Sequence, residues 1–367
     1  MPTFEQYRYY ADNEVPAAMR RITEDSHFEA IASFIFPQLS LEEARSRLLN
    51  LHTIQEVQQV AMLAAADQIL QRSVSHFSFS GLEKLSPDKH YLFVSNHRDI
   101  TLDALLLQYV FLNHGFPSSR LVIGSNLLCM PVIEDIGKLN KTLSICRGGG
   151  CREFYNELRG LSEFIHFEIT ENNESVWIAQ RNGRTKDGID KTDPAIIKMF
   201  ALGTPDNKIN SICDLHIVPL SISYEWEPCD LLKAVERYRS RYTKYVKAPG
   251  EDLNSILTGI LSPKGQVNLT INEPVLPDDI LLTSGNPQQV AELLDHRINS
   301  GYKLFPTNYV AHDIRSGSSQ YENYYTQDHK DAFLQRMEML RQYDDCSQEA
   351  LQEIFLGIYA NPVINRQ

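Results

Sequence analysis

The rhythm of hydrophobic and polar positions changes along the chain. Up to about residue 75, apolar residues recur at helical spacing. Residues 15–35 form a moderately amphipathic stretch that stops at Pro37. Ser40-Leu41-Glu42-Glu43 has the spacing of a capping box, and Thr53-Ile54-Gln55-Glu56 repeats it before a long predicted helix to about residue 71. That helix carries Ile54, Val57, Val60, Ala61, Ala64, Ala65 and Ile69 as a mostly apolar stripe. Its polar face is not notably basic, which favours a bundle packed on the next domain over a helix lying on a membrane.

Near Ser75 the pattern switches. Residues 76–79 alternate like a strand, and residues 81–87 are turn-rich. Leu92-Phe93-Val94 is apolar, Ser95-Asn96-His97-Arg98-Asp99 is polar, and Ala104-Leu105-Leu106-Leu107 is apolar again. That profile predicts a buried strand, a short polar loop and a buried helix. Further strands are predicted at 120–124, 143–147, 176–179, 216–225 and 265–275, with helices at 153–167 and 288–299. Residues 231–247 read as a basic helix with Tyr238, Tyr242 and Tyr245 interleaved. From about residue 313 the chain is Ser/Gly/Tyr-rich, then helical at roughly 328–343 and 348–359. Strands alternating with helices define an α/β fold with a mixed, mostly parallel sheet flanked by helices, and with helical extensions at both ends. The expected parts are an N-terminal helical region over 1–75, an α/β domain over 76–310 and a C-terminal helical appendage over 311–367. There is no internal repeat and no low-complexity tract.

Composition narrows the function classes. In 367 residues, a hydrophobic fraction of 43% supports a globular protein with a full core. No run of eighteen apolar residues occurs, and the N-terminus lacks a signal peptide's apolar core. The six cysteines form no Cys-x-x-Cys pair, which argues against a zinc knuckle or a disulfide framework and for a reducing, cytoplasmic setting. A net charge of −12 argues against a nucleic-acid partner. It also makes any attraction to an anionic membrane a local matter. The basic aromatic stretch at 231–247 fits such a contact, or a plain exposed helix.

The chemistry concentrates after the Leu92 strand. Open α/β sheets bind ligands at strand ends, so His97, Arg98, Asp99 and Asp103 arrive together at the mouth of a site. A histidine titrates close enough to neutrality to take a proton from a hydroxyl, and a carboxylate on its other ring nitrogen would fix the tautomer. Two other readings stand beside this one. The aspartates could only cap the helix, or His97, Asp99 and Asp103 could hold a metal in a hydrolase.

Asn96-His97-Arg98-Asp99-Ile100-Thr101-Leu102-Asp103 resembles the first motif of the glycerolipid acyltransferases, the lysophosphatidate and glycerol-3-phosphate acyltransferase superfamily. That motif is Asn-His, four residues, then Asp. Here five residues separate His97 from Asp103, and Leu102 stands where the Asp would fall. Asp103 is taken as the equivalent, with Asp99 as its rival. The strand ending in Arg147, followed by Gly148-Gly149-Gly150, is similar to the second motif. Gln180-Arg181-Asn182-Gly183-Arg184-Thr185-Lys186 stands at the third, with Gln180 in place of the usual Glu. Residues 216–225, with Pro219, resemble the fourth, and Glu273-Pro274 a late strand end.

The likeness spans roughly 76–275, with four motifs in family order. It implies transfer of a fatty acyl group from a thioester, on coenzyme A or acyl-carrier protein, to a hydroxyl. Glycerol-3-phosphate, lysophosphatidate and an amino-acid-headed lipid all offer one. Beyond that co-substrate no cofactor or metal is implied. His97 is the expected general base, with Asp103 or Asp99 behind it, and N–H groups at the start of the following helix are candidate oxyanion donors. Asn96, Arg98, Arg147, Arg181, Arg184, Lys186 and Pro219 are the expected substrate-binding residues. A peripheral protein at the cytoplasmic face of the inner membrane is expected, its partners the acyl carrier and the phospholipid surface. A non-catalytic lipid-binding relative is the alternative.

Overall fold

The computed structural model describes residues 4–128, 130–145, 151–203, 207–243 and 245–366. Seven strands form one sheet: β1 Val74–Ser80, β2 Leu92–Ser95, β3 Arg120–Gly124, β4 Thr142–Ile145, β5 Val176–Ala179, β6 Val218–Tyr224 and β7 Gly265–Ile271. Their spatial order is β1-β7-β6-β2-β5-β3-β4. The β4, β3, β5, β2 and β6 strands are mutually parallel. β7 turns back antiparallel to β6, and β1 runs parallel to β7. β2 therefore lies inside the sheet, with the chain leaving it for β3 on one side and reaching β6 on the other. The loop after β2 stands where such sheets place a ligand.

The central strands are short apolar runs because both sheet faces are covered. Successive side chains point to opposite faces. Leu92 and Val94 of β2, with Val176 and Ile178 of β5, pack against helices Cys151–Thr170, Pro194–Phe200 and Pro287–Gly301. Phe93 and Trp177 pack the other way, onto helix Leu102–Asn113 and Ile69 of helix Leu63–Ser73. Gly81 is required where it stands. Its φ is +88°, and a Cβ there would lie 2.0 Å from the Ile271 carbonyl oxygen.

The N-terminal helices pack into one cluster with Val132 and Leu139 of helix Pro131–Leu139. Both capping boxes are present, Ser40 with Glu43 and Thr53 with Glu56. The 15–35 stretch divides into helices Val15–Glu24 and Phe28–Ile35, because the Asp25 carboxylate bonds the His27 N–H at 2.8 Å and turns the chain. In the long helix a π turn at Gln58–Met62 adds a residue and moves the buried stripe onto Met62 and Ala66, leaving Ala61, Ala64 and Ala65 half-buried.

Two other expectations are corrected. The basic helix is Asp230–Arg239, and it ends at Ser240 instead of running to residue 247. It is also no free basic face. Lys233 is buried against Glu227, Arg239 pairs with Asp345 at 2.7 Å, and Leu231, Ala234 and Val235 pack on the C-terminal helices. A proline in a sheet is expected at a bend or an edge, but β6 is an interior strand and Pro219 sits opposite Val94 of β2. Helix Pro306–Ser316 runs across residues 310 and 311 and packs with helices Gln327–Glu338 and Gln348–Asn365.

Candidate active site

β2 ends at Ser95, and the next residues are fastened in turn. The Asn96 side chain pairs with both backbone groups of Ile222 in β6, donating to its carbonyl at 2.9 Å and accepting from its N–H at 2.8 Å. It is fully buried. Asn96 thus holds the loop to the sheet and does not face a substrate. The His97 carbonyl accepts from the Thr185 N–H at 2.7 Å, which ties the loop to the one after β5.

His97 Nδ1 lies 3.1 Å from Asp103 Oδ2. The same oxygen accepts the N–H groups of Arg98 at 2.6 Å and Asp99 at 2.9 Å, and Oδ1 accepts the Tyr224 hydroxyl at 2.9 Å. Asp103 is fully buried on the first turn of helix Leu102–Asn113. An acceptor-only carboxylate with these donors requires the proton on His97 Nδ1, which leaves Nε2 as the ring's acceptor. Asp99 is spent elsewhere. Its Oδ1 caps the helix through the N–H groups of Thr101 at 2.9 Å and Leu102 at 2.8 Å. The spacing of five residues works because the turn wraps two N–H groups around Asp103. The N–H groups of residues 98, 99, 101 and 102 are all consumed by these two aspartates. The expectation that helix-start N–H groups serve an oxyanion is therefore corrected for these four.

Asp99 Oδ2 faces Gly259 of helix Glu251–Leu261, where a Cβ would lie 2.3 Å from it. Gly259→Ala gains about 1 kcal/mol in helix propensity but overpacks a site where such strain costs about 1–3 kcal/mol. We expect a net loss of stability with loss of activity, read by thermal melting and turnover; a stabilised, fully active variant would contradict the packing.

His97 stands on the wall of a cavity of about 440 Å³. Its apolar lining includes Val122, Ile145, Leu158, Leu161, Ile178 and Met199, which belong to one hydrophobic cluster. Its polar lining includes Arg181, Arg184, Lys247, Asn126, Asp193 and Asp252. Arg184 is 8% exposed, and its Nη1 has no hydrogen-bond partner among the described residues. A buried guanidinium with an open donor suits an anion. Arg181 is half-buried on the same wall. Lys186 is engaged by Glu236, and burial lowers its pKa against that carboxylate's pull. Lys247 pairs with Asp252, which also accepts from Asn126 at 2.9 Å. Arg147 and Gly148–Gly150 lie outside the described residues, and Pro219 is not on this wall.

Arg98 does not face the cavity. It is 1% exposed and pairs with Asp190 at 2.5 Å and Glu227 at 3.2 Å, while Lys233 pairs with Glu227 at 2.5 Å and with the Arg98 carbonyl at 2.6 Å. Two cations and two anions are neutralised below the loop. The expected substrate contact of Arg98 is corrected to this role. Asp190, Glu227, Lys233 and Tyr224 are the site residues that pattern reading missed. They stand 92 to 135 residues from Arg98 and Asp103, the loop residues they bind, and no local spacing marks such pairs.

Lys264 is buried nearby and donates to Ser73 Oγ, the Ile260 carbonyl and the Ser262 carbonyl. Burial, opposed by the Asp99 charge, lowers its pKa to about 8 from an ordinary 10.5. Between those values the unfolded chain binds more protons, so Lys264 contributes more to stability as pH rises through the window. The stability of the wild type relative to Lys264→Met should increase from about pH 8 to 10 in denaturant titrations. A flat difference would show an unshifted amine.

Among the described residues no three His, Cys, Asp or Glu side chains converge as a metal would need. The fold and the His97–Asp103 pair thus define an α/β domain equipped for proton transfer beside an apolar slot. Residues 76–223 match the family model described as Acyltransferase. A solved structure titled as the 1-acyl-sn-glycerophosphate (LPA) acyltransferase PlsC from Thermotoga maritima is similar over 78% of this chain and 95% of that one, at 15% identity and a TM-score of 0.38. That likeness is too distant to bear on activity. No curated protein matches the chain.

Proposed function

We propose that the protein transfers a fatty acyl group from an acyl thioester, on coenzyme A or acyl-carrier protein, to the hydroxyl of a phosphate-bearing glycerolipid precursor such as glycerol-3-phosphate or lysophosphatidate, in phospholipid biosynthesis. The observation that carries this reading is the position of His97. It stands on the wall of a cavity that also offers apolar side chains for an acyl chain and Arg181 and Arg184 for a phosphate. His97 Nε2 takes the acceptor's hydroxyl proton as the oxygen attacks the thioester carbon, and Asp103 stabilises the imidazolium that forms. The tetrahedral intermediate collapses, the C–S bond breaks, and the thiolate leaves with the proton returned by His97. Arg184 and Arg181 bind the acceptor's phosphate in this scheme.

The protein works as a peripheral enzyme on the cytoplasmic side of the inner membrane. Among the described residues no helix is long and apolar enough to cross a membrane. Tyr242 and Val246 are 93% and 82% exposed in the segment that leads to Lys247 on the cavity wall, which fits a lipid surface.

The experiment is thiol release from acyl-coenzyme A and acyl-carrier-protein thioesters with a panel of acceptors, beside His97→Ala. Acceptor-dependent release supports the reading. Lipid binding without release from any pair would make the protein a non-catalytic lipid-binding relative.

A further inference from the structure

The hydroxyl of Tyr224 makes a contact that the proposed reaction does not use. Tyr224 is the last residue of β6 and is 1% exposed. Its hydroxyl donates to Asp103 Oδ1 at 2.9 Å, the oxygen that His97 does not touch. Burial, and then the charges of Asp103 and Asp99, hold the phenol's pKa well above its ordinary value, so the group remains a donor throughout the working range.

We infer that Tyr224 is a positioning residue of the His97–Asp103 pair, whose hydroxyl fixes the Asp103 carboxylate and sets how tightly that carboxylate holds the proton on His97. The inference rests on the acyl-transfer reading above for its catalytic meaning, though not for its geometry. A carboxylate shares its charge between two oxygens. A donor on Oδ1 draws charge from Oδ2, the atom facing His97. Removing that donor returns charge to Oδ2 and stabilises the imidazolium, so His97 becomes more basic. The backbone N–H groups of Arg98 and Asp99 stay on Oδ2 in either case.

Several charged groups surround the pair. Arg98 and Asp99 lie on its own loop, Arg181, Arg184 and Asp190 on the loop after β5, and Glu227 and Lys233 around the start of helix Asp230–Arg239. Asp252 lies in the first turn of helix Glu251–Leu261, with Lys247 ahead of that helix and Lys264 after it, and Tyr302 lies over Arg98. Tyr224→Phe keeps the ring and leaves all of them in place.

The test is the titration of His97 followed by NMR on histidine-labelled protein, its signal assigned by its loss in His97→Ala. In Tyr224→Phe the His97 pKa should rise by about half to one pH unit. The acid limb of the pH–rate profile should move with it. The plateau kcat should fall about tenfold while KM stays level, as removal of support from a proton-transfer group predicts. Site-specific 3-fluorotyrosine at 224, a stronger donor, should move His97 the other way, and it decides the matter if Tyr224→Phe does not fold. An unmoved His97 titration in both variants, with only the melting temperature altered, would overturn the inference. The NMR measurement needs no substrate, so an inactive protein would sink the acyl-transfer reading while His97 still decided this one.

Discussion

On the proposed function, His97→Ala should cut acceptor-dependent thiol release by about 10²–10⁴-fold, the usual range for loss of a positioned acid–base group. The hydroxyl acceptor is a poor nucleophile until its proton moves. His97 is the histidine on the cavity wall, and its Nδ1 is held by a buried carboxylate. Its side chain is 16% exposed, so alanine opens a small space without uncovering a core. Stability should therefore change little. The check is release of thiol at saturating donor and acceptor, with the melting temperature measured in parallel. A variant that keeps a tenth of the wild-type rate would remove His97 from the role of base.

The second large effect falls on stability. Arg98→Met should destabilise the protein by about 3–5 kcal/mol, the range for breaking a buried ion pair from one side. The reason is what remains behind. Asp190 is 2% exposed and loses its guanidinium, keeping among the described residues the Thr185 hydroxyl at 2.9 Å and a long contact at 3.4 Å from Asn96. Glu227 retains Lys233. The uncompensated charge is therefore on Asp190, and Arg98→Met with Asp190→Asn should recover most of the loss. Urea denaturation of the single and double variants measures both. A single variant within about 1 kcal/mol of wild type would mean that the network contributes no more than a surface pair.

Some elements were legible because their signals are local. The capping boxes at Ser40 and Thr53 are read from four consecutive residues, and both form. The strands at 120–124 and 176–179 have the bounds read from the sequence, because a strand covered on both faces carries a compact apolar run, Leu121–Ile123 in one and Val176–Ala179 in the other. Other elements were misread where side chains compete with periodicity. Asp25 breaks the 15–35 helix through its bond to the His27 N–H. The 231–247 stretch reads as a basic surface only while the partners of Lys233 and Arg239 are unseen.

The sequence by itself determined the α/β class, the strand–loop–helix unit that delivers His97, and the candidate pairing with a nearby aspartate. These follow from hydrophobic period and short-range spacing, which act through neighbouring residues. Only the tertiary structure decided between Asp103 and Asp99, because the choice depends on Tyr224 and Gly259, brought in from 121 residues beyond Asp103 and from a distant helix. It also turned Asn96 and Arg98 from substrate contacts into anchors. Even the C-terminal appendage reaches the site. Asn361 and Asn365 hold the carbonyls of Asp187 and Gly188, while Tyr359 bonds Asp230 and the Glu227 N–H. The physical reason is common to all of these. A polar side chain's role is set by which donors and acceptors the fold presents to it, and buried polar groups must be satisfied wherever their partners lie in the chain.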